Sequence, residues 1–447
     1  MVDGKDLVEA MAVILTRRPE IRDVVRQSLK NKGLKSENIF PVMDEKECLK
    51  FLTEHDYGLV ILDWEFAPDK VQAVLIANRK EHRLESHLVF LIAAHDEDAI
   101  VSVAQEFYVN FVAVGEVTTD TIREQVKGLV KEFQNTGPMR KMLLAVDSCR
   151  KNGDHANALE MLEKLYAKQP ENERIGIELA EAYIHEERWK LAEDVLRALM
   201  TAEEVAPRVK HLFARCRLKQ GDYNTAIASL KGAQILSPYN VERLLEMGNL
   251  FLKLDRAEEA ESTFDEILEF APNSKPATFG KSASKLLMGE VNEALAILNG
   301  VANPRELSAI FNTAAILAIK QQRFDAGFAL YQKALQLLSK KPKLVSRILY
   351  NMGIGFVKWG KNDKGLKCFE KAAEQDPTFQ DAGHNIKILK AAPQAGSGVS
   401  LKETTDLSES ASEGNEHEIP LMEISGFDGG EEEVELDDVL SNISKVG

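Results

Sequence analysis

The sequence predicts an α/β domain with a doubly wound, five-stranded parallel sheet, then an all-α superhelical solenoid, then a disordered acidic tail. Three observations predict it. Between residues 9 and 133, short apolar runs alternate with amphipathic stretches, the pattern of βα units. From 138 to 390, small residues recur every 34 positions, the mark of stacked helical repeats. Beyond 390, Gly, Ser and Glu dominate and aromatic residues are few. The expected domains are therefore residues 1–134, 138–390 and 391–447.

In the first segment, AVILT (12–16) reads as a strand and PEIRDVVRQSLKNKG as a helix closed by Gly33. ENIFPVM (38–43) is a weaker strand, and EKECLKFLTEHD a helix. LVILD (59–63) is a buried strand that ends on a carboxylate, Asp63. LVFLIAA (88–94) and FVAVG (111–115) complete the sheet, and TTDTIREQVKGLVKEF makes the last helix. The QNTGP stretch ending at Pro138 breaks the pattern.

In the second segment, Ala158, Ala192, Ala226, Ala260 and Ala294 stand 34 apart, followed by Gly327 and Gly365 at steps of 33 and 38. Four residues beyond each comes a large apolar side chain: Leu162, Leu196, Leu230, Phe264, Leu298, Tyr331 and Phe369. Pro170, Pro238, Pro272 and Pro377 follow at twelve. A small residue lets two antiparallel helices approach, the bulky one a turn later fills the adjoining space, and proline ends the second helix. Each pair needs a neighbour to cover its apolar face, so the pairs stack.

Charge separates the third segment from the rest. Residues 391–447 hold 14 Asp and Glu against two Lys, a net of −12, which leaves −3 of the total −15 for the other 390 residues. Within the tail, Leu436, Val439, Leu440 and Ile443 stand at helical spacing and are expected to form a recognition helix on binding. Clustered positive charge of the kind that binds nucleic acid is absent. Cys48, Cys149, Cys216 and Cys368 are scattered without metal-ligand spacing, so no disulfide framework and no metal site are expected. No apolar run spans a bilayer and MVDGKDLVEAMAVILTRR does not read as a signal peptide, so a cytoplasmic location and no membrane insertion are expected. Phosphate-binding, dinucleotide and nucleophile-elbow motifs are missing, so neither a cofactor nor a catalytic residue is expected.

The strand order, Arg-Pro-Glu-Ile-Arg after the first strand and LVILD resemble the receiver domain of bacterial response regulators over about 125 residues. That resemblance makes Asp63 the counterpart of the phosphoacceptor. The helper positions depart from it. Thr16 and Arg17 stand where receivers carry an acidic Mg²⁺-holding pair, Ala93 where they carry Ser or Thr, and Val114 or Gly115 where they carry Lys. The resemblance thus implies a pseudo-receiver, with Arg17 beside Asp63 as a fixed cation. Such domains often dimerise, and a homodimer is left open.

The helical segment resembles a tetratricopeptide repeat array of seven motifs, clearest in LLEMGNLFLKLDRAEEAESTFDEILEFAP and LYNMGIGFVKWGKNDKGLKCFEKAAEQDP. Motif five departs at Ser282 and Lys285, and motif six lacks its closing proline. By this resemblance a groove lined by first helices binds peptides. Its positions include Glu242, Pro276, Ala309, His185 and Leu287 but are mostly basic: Arg140, Lys151, Arg174, Arg208, Arg215, Lys219, Lys253, Lys320, Arg347 and Lys358. Arginine pairs bidentately with carboxylates, so acidic protein segments, the chain's own tail among them, are the expected partners. The expected function is a non-enzymatic bacterial signalling adaptor. The alternatives are a regulator that still phosphorylates Asp63, and a chaperone or secretion-apparatus solenoid.

Overall fold

The structure, a computed structural model, describes residues 10–55, 58–80, 87–94, 97–116, 118–134, 138–202, 205–391 and 401. The tail positions Leu436, Val439, Leu440 and Ile443 lie outside the described residues. The chain divides into two compact units, Met1–Leu244 and Leu245–Gly447.

The first unit opens with β1 (Met11–Leu15), α1 (Pro19–Asn31), β2 (Ile39–Val42), α2 (Glu45–Glu54), β3 (Gly58–Asp63), α3 (Pro68–Lys80), β4 (His87–Ala93), α4 (Glu97–Glu106), β5 (Phe111–Val114) and α5 (Thr119–Gln134). All strand pairs are parallel, in the order β2-β1-β3-β4-β5. That is the flavodoxin-like doubly wound order, which brings the ends of β1 and β3 side by side at the carboxyl edge. Every residue of β3 and β4 is buried, which accounts for runs such as LVILD with no polar alternation. Alternate strand residues feed two cores. Ile14, Ile61 and Phe90 meet α1 and α5. Val13, Val60 and Leu91 meet α2, α3 and α4.

Antiparallel helix pairs follow: α6 (Pro138–Lys151) with α7 (His155–Lys168), α8 (Glu173–His185) with α9 (Trp189–Leu199), and α10 (Pro207–Lys219) with α11 (Tyr223–Leu236). The first turn of α12 (Val241–Lys253) closes the unit. Ala158, Ala192 and Ala226, with Leu162, Leu196 and Leu230 one turn later, are all buried at the pair contacts.

The second unit continues with α13 (Ala257–Phe270), α14 (Lys275–Leu287), α15 (Val291–Leu298), α16 (Pro304–Lys320), α17 (Phe324–Leu338), α18 (Pro342–Lys358) and α19 (Asn362–Gln375). A single helix, α20 (Gln380–Ala391), then lies on α19, and Asn385 Nδ2 donates to the Tyr350 hydroxyl at 2.9 Å. The degenerate residues of motif five are satisfied locally. The Ser282 hydroxyl donates to Thr278 O at 2.8 Å, and Lys285 meets Glu261, Glu290 and Glu293 at 2.6–3.2 Å. In motif six the proline comes later, as Pro342 at the start of α18, where its missing N–H costs nothing.

Every pair turns on one left-handed residue, five positions before the small residue of the second helix. These are Gly153, Glu187, Gly221, Asp255, Gly289, Gln322 and Gly360, with φ between 54° and 84°. Four of the seven are glycine, which adopts that φ without a Cβ clash.

Candidate functional site

Two features of the first unit gather polar groups. The first is the carboxyl edge of the sheet. β3 ends on Asp63, which is buried. Its Oδ2 accepts from Thr16 Oγ1 at 2.5 Å and Arg18 Nε at 2.9 Å. Its Oδ1 accepts from Arg18 Nη2 at 2.5 Å and the Glu65 amide at 3.2 Å. Arg18 N–H in turn donates to Thr16 Oγ1 at 3.0 Å, which fixes the hydroxyl between them. A carboxylate offers about four lone-pair sites, and here all are taken. The hydrogen bond to Asp63, aided by its charge, raises Arg18 further above its ordinary value, so the guanidinium stays charged.

The cation at Asp63 is therefore Arg18, which corrects the expectation for Arg17. After β1 the chain bends at Arg17, with the Arg18 N–H held on the Thr16 hydroxyl. Thr16 and Arg18 reach Asp63, whereas exposed Arg17 lies over the Phe66 ring at 4.5 Å. Ala93 ends β4, buried and without a hydroxyl. Val114 ends β5, and Gly115 beyond it takes φ 81°. A divalent cation does not fit this residue set, because a hydroxyl and a guanidinium stand where oxygen anions would be needed. Among the described residues, no group of three or more His, Cys, Asp or Glu is placed to hold a metal.

The second feature is the first-helix face of the repeats. Arg208 on α10 is buried; its Nε donates to Glu181 Oε1 at 2.8 Å, and its Nη1 lies 3.6 Å from Glu242 Oε2. The same Glu242 oxygen accepts from Arg79 Nη2 of α3 at 2.7 Å. Arg243 is fully buried. Its Nη1 and Nη2 donate to the two oxygens of Glu106, at the end of α4, at 2.7 and 3.3 Å. Its Nε donates to Gln234 at 3.1 Å, and Ser237 O accepts a further bond. Gln72 of α3 accepts from Val241 N–H at 2.9 Å and donates to Tyr239 O. The α3–α4 side of the sheet domain thus seats on the repeats through three ion-paired or hydrogen-bonded knots. Tyr239 packs into the sheet domain's second core and Tyr108 into the repeat core.

A cavity of about 430 Å³ opens beside these pairs, lined among others by Arg79, Arg150, Arg208, Arg215, Lys219 and Trp189. Lys219 Nζ lies 5.3 Å over the Trp189 ring. Arg150 is engaged by Glu178 at 2.6 Å. The expectation of an open basic groove is corrected here. Arg208 is buried with its charge matched by Glu181 and Glu242, and Arg174 lies over the Tyr108 ring at 5.1 Å. Arg215 and Lys219 do reach the cavity, and Lys151 is exposed at the end of α6. Arg140 falls in α6, its side chain outside the described part. In the second unit, Lys253, Lys320 and Lys358 each close a first helix, where positive charge complements the helix dipole. Arg347 is half-buried on α18 and helps hold Asp376 low, after the Thr378 contacts.

The glutamates of this seam share one electrostatic signature. Burial alone would raise each pKa, but nearby arginines outweigh it. Arg79 and Arg208 hold Glu242 below the ordinary range, Arg208 and Arg79 hold Glu181, and Arg243 holds Glu106. Lowered native pKa values contribute stability that is complete above the unfolded value near 4.5 and lost as pH falls through the native ones. The urea midpoint of the first transition should therefore hold from pH 8 to 5 and fall steeply below about 4.5. Glu242→Gln should lower it at pH 7 and make the acid-side fall shallower. A midpoint in Glu242→Gln that tracks the parent at every pH would contradict this.

Sequence reading missed Arg18, Arg79, Glu106, Tyr108, Glu181 and Arg243. Gln72 and Arg79 stand seven apart on α3, a spacing that puts two long polar side chains on one helix face. That was the available signal for a second buried interface.

Comparison with known proteins supports the helical reading. Residues 150–216 and 217–278 match the tetratricopeptide repeat family model. The human Protein O-mannosyl-transferase TMTC1 is 26% identical over 172 residues, which is 37% of this chain and 18% of that protein. The chain thus spans less than a fifth of that relative's length. A tetratricopeptide repeat protein from Parabacteroides merdae is 17% identical, with a TM-score of 0.40, covering 55% of this chain and 96% of that one. YrrB, described as a TPR protein with an unusual peptide-binding site, is 15% identical, with a TM-score of 0.31 and coverage of 51% and 97%. The helical region is a tetratricopeptide-like array that follows a five-stranded parallel sheet. Among the described residues, no helix is long and apolar enough to cross a membrane.

Proposed function

We propose that this chain is a non-catalytic adaptor that assembles proteins through its repeats, with a receiver-like sheet domain that does not take phosphate. The assembly role is supported by the tetratricopeptide match and by a cavity that presents Arg215 and Lys219 beside a charge-matched floor. Acidic protein segments are the proposed ligands, since guanidinium and ammonium groups pair with carboxylates. The chain's own acidic residues 391–447 supply one such sequence and a ready probe. A labelled peptide of residues 430–440, GEEEVELDDVL, should bind the full chain at low salt and weaken as salt rises. Arg215→Glu with Lys219→Glu should reduce binding at least tenfold. Absence of binding at low salt would remove the acidic-ligand reading.

The single observation that carries the receiver half is the saturated Asp63 carboxylate. Phosphoryl transfer is mostly charge stabilisation. Here the nucleophile's lone pairs are held by Thr16, Arg18 and the Glu65 amide, and no Lys stands after β5 to meet an incoming phosphoryl group. Incubation with a small phosphodonor and Mg²⁺ should leave Asp63 unlabelled in intact-mass measurements. Labelling that disappears in Asp63→Asn would establish the alternative, a phosphate-responsive regulator.

A further inference from the structure

Residues 105–110 read QEFYVN and make the corner between α4 and β5. Three consecutive side chains leave it in different directions. Glu106 meets buried Arg243 through both carboxylate oxygens. Phe107 stays in the sheet domain's own core, with the Arg79 guanidinium 5.2 Å from its ring. Tyr108 turns into the repeats, packed on their apolar core with Arg174 over its ring at 5.1 Å. It does so at φ 55°, a left-handed conformation unfavourable for a residue with a Cβ. Its hydroxyl is buried without a hydrogen-bond partner among the described residues.

The seam is specific and imperfect at once. Paired charges dictate which surface docks. Separation returns those charges to water, so a polar seam releases more readily than an apolar one. The orphan hydroxyl subtracts from docking, while the left-handed Tyr108 closes the end of α4, with the Val109 N–H donating to Ala104 O at 2.8 Å.

We propose that the first-helix face built by α8, α10 and the start of α12 reads an acidic side chain two residues before an aromatic one, and that Glu106 and Tyr108 supply this ligand in cis as a releasable latch. The partner that fits is a protein segment carrying the same Glu-x-Tyr pair on an exposed turn. This rests on the reading of that face as a protein-binding surface.

The test uses the full chain and a labelled peptide of residues 104–110, AQEFYVN. Tyr108→Ala and Glu106→Gln should open the latch. They should bind the peptide at least tenfold more tightly than the parent chain, whereas AQAFAVN should not compete. Amide exchange in α3 and α10 should quicken in the same variants. Tyr108→Phe keeps the ring and removes the orphan hydroxyl, so it should hold the latch closed, with several-fold weaker peptide binding and slower exchange. Equal peptide binding by parent and opened variants overturns the proposal, as does Tyr108→Phe binding as well as the parent or better. GEEEVELDDVL, which lacks an aromatic residue, tests the underlying reading separately. If it binds the opened variants and AQEFYVN does not, the binding surface stands and the latch falls. If neither binds, both fall.

Discussion

Arg243→Ala should destabilise the first compact unit by about 3–5 kcal/mol, measured as the loss in urea-unfolding free energy at pH 7. Arg243 is the largest fully buried side chain among the described residues, and its partner Glu106 has a fully buried side chain too. Truncating the guanidinium leaves Glu106 buried without its counter-ion, and removes the bonds to Ser237 O and Gln234. The penalty comes from the orphaned charge more than from the lost attraction. Arg243→Leu combined with Glu106→Leu should therefore recover most of the loss, since apolar groups of similar volume replace buried ion pairs at little cost. An Arg243→Ala chain within about 1 kcal/mol of the parent would show that the seam tolerates water at its centre.

Gly280→Ala should cost about 3 kcal/mol in the second unit, near the upper end for overpacking. Phe264, the large residue of its repeat, is fully buried with its ring wedged between Gly248 and Gly280. A Cβ on Gly280 would sit far inside van der Waals contact of three ring atoms, and one on Gly248 would meet the same ring at 2.6 Å. The ring has nowhere to retreat. Gly383→Ala on α20 is the internal control. Nothing lies within 4 Å of a Cβ there, so it should stabilise by about 0.5–1 kcal/mol through helix propensity alone. If both substitutions shift the thermal midpoint equally, close packing at Gly280 is not what selects glycine.

The sheet was legible because buried parallel strands are continuous apolar runs. LVILD and LVFLIAA map onto β3 and β4 to within a residue. The repeats were legible because Ala158 through Ala294 keep one register, and each of those positions is buried at a helix contact. What stayed hidden is non-local. Arg243 is separated from Glu106 by 137 positions, and no local pattern pairs them. Arg208 reads as a solvated groove residue because only the fold brings Glu181 and Glu242 to it. The Arg17 expectation missed by one residue, since the bend after β1 sets which of two adjacent arginines faces Asp63. α20 falls in the helical segment without repeat spacing, because a terminal helix has a neighbour on one side only.

The left-handed turn residues repeat with a period of their own. Gly153, Gly221 and Gly289 stand 68 positions apart, and the turns between and after them hold Glu187, Asp255 and Gln322. Glycine and non-glycine therefore alternate over six successive hairpins before Gly360. Each side chain at such a φ costs about 1–2 kcal/mol, so selection on any one turn favours glycine there and has no reason to skip every second one. The turn residue therefore repeats over two hairpins, twice the period of the architecture it serves.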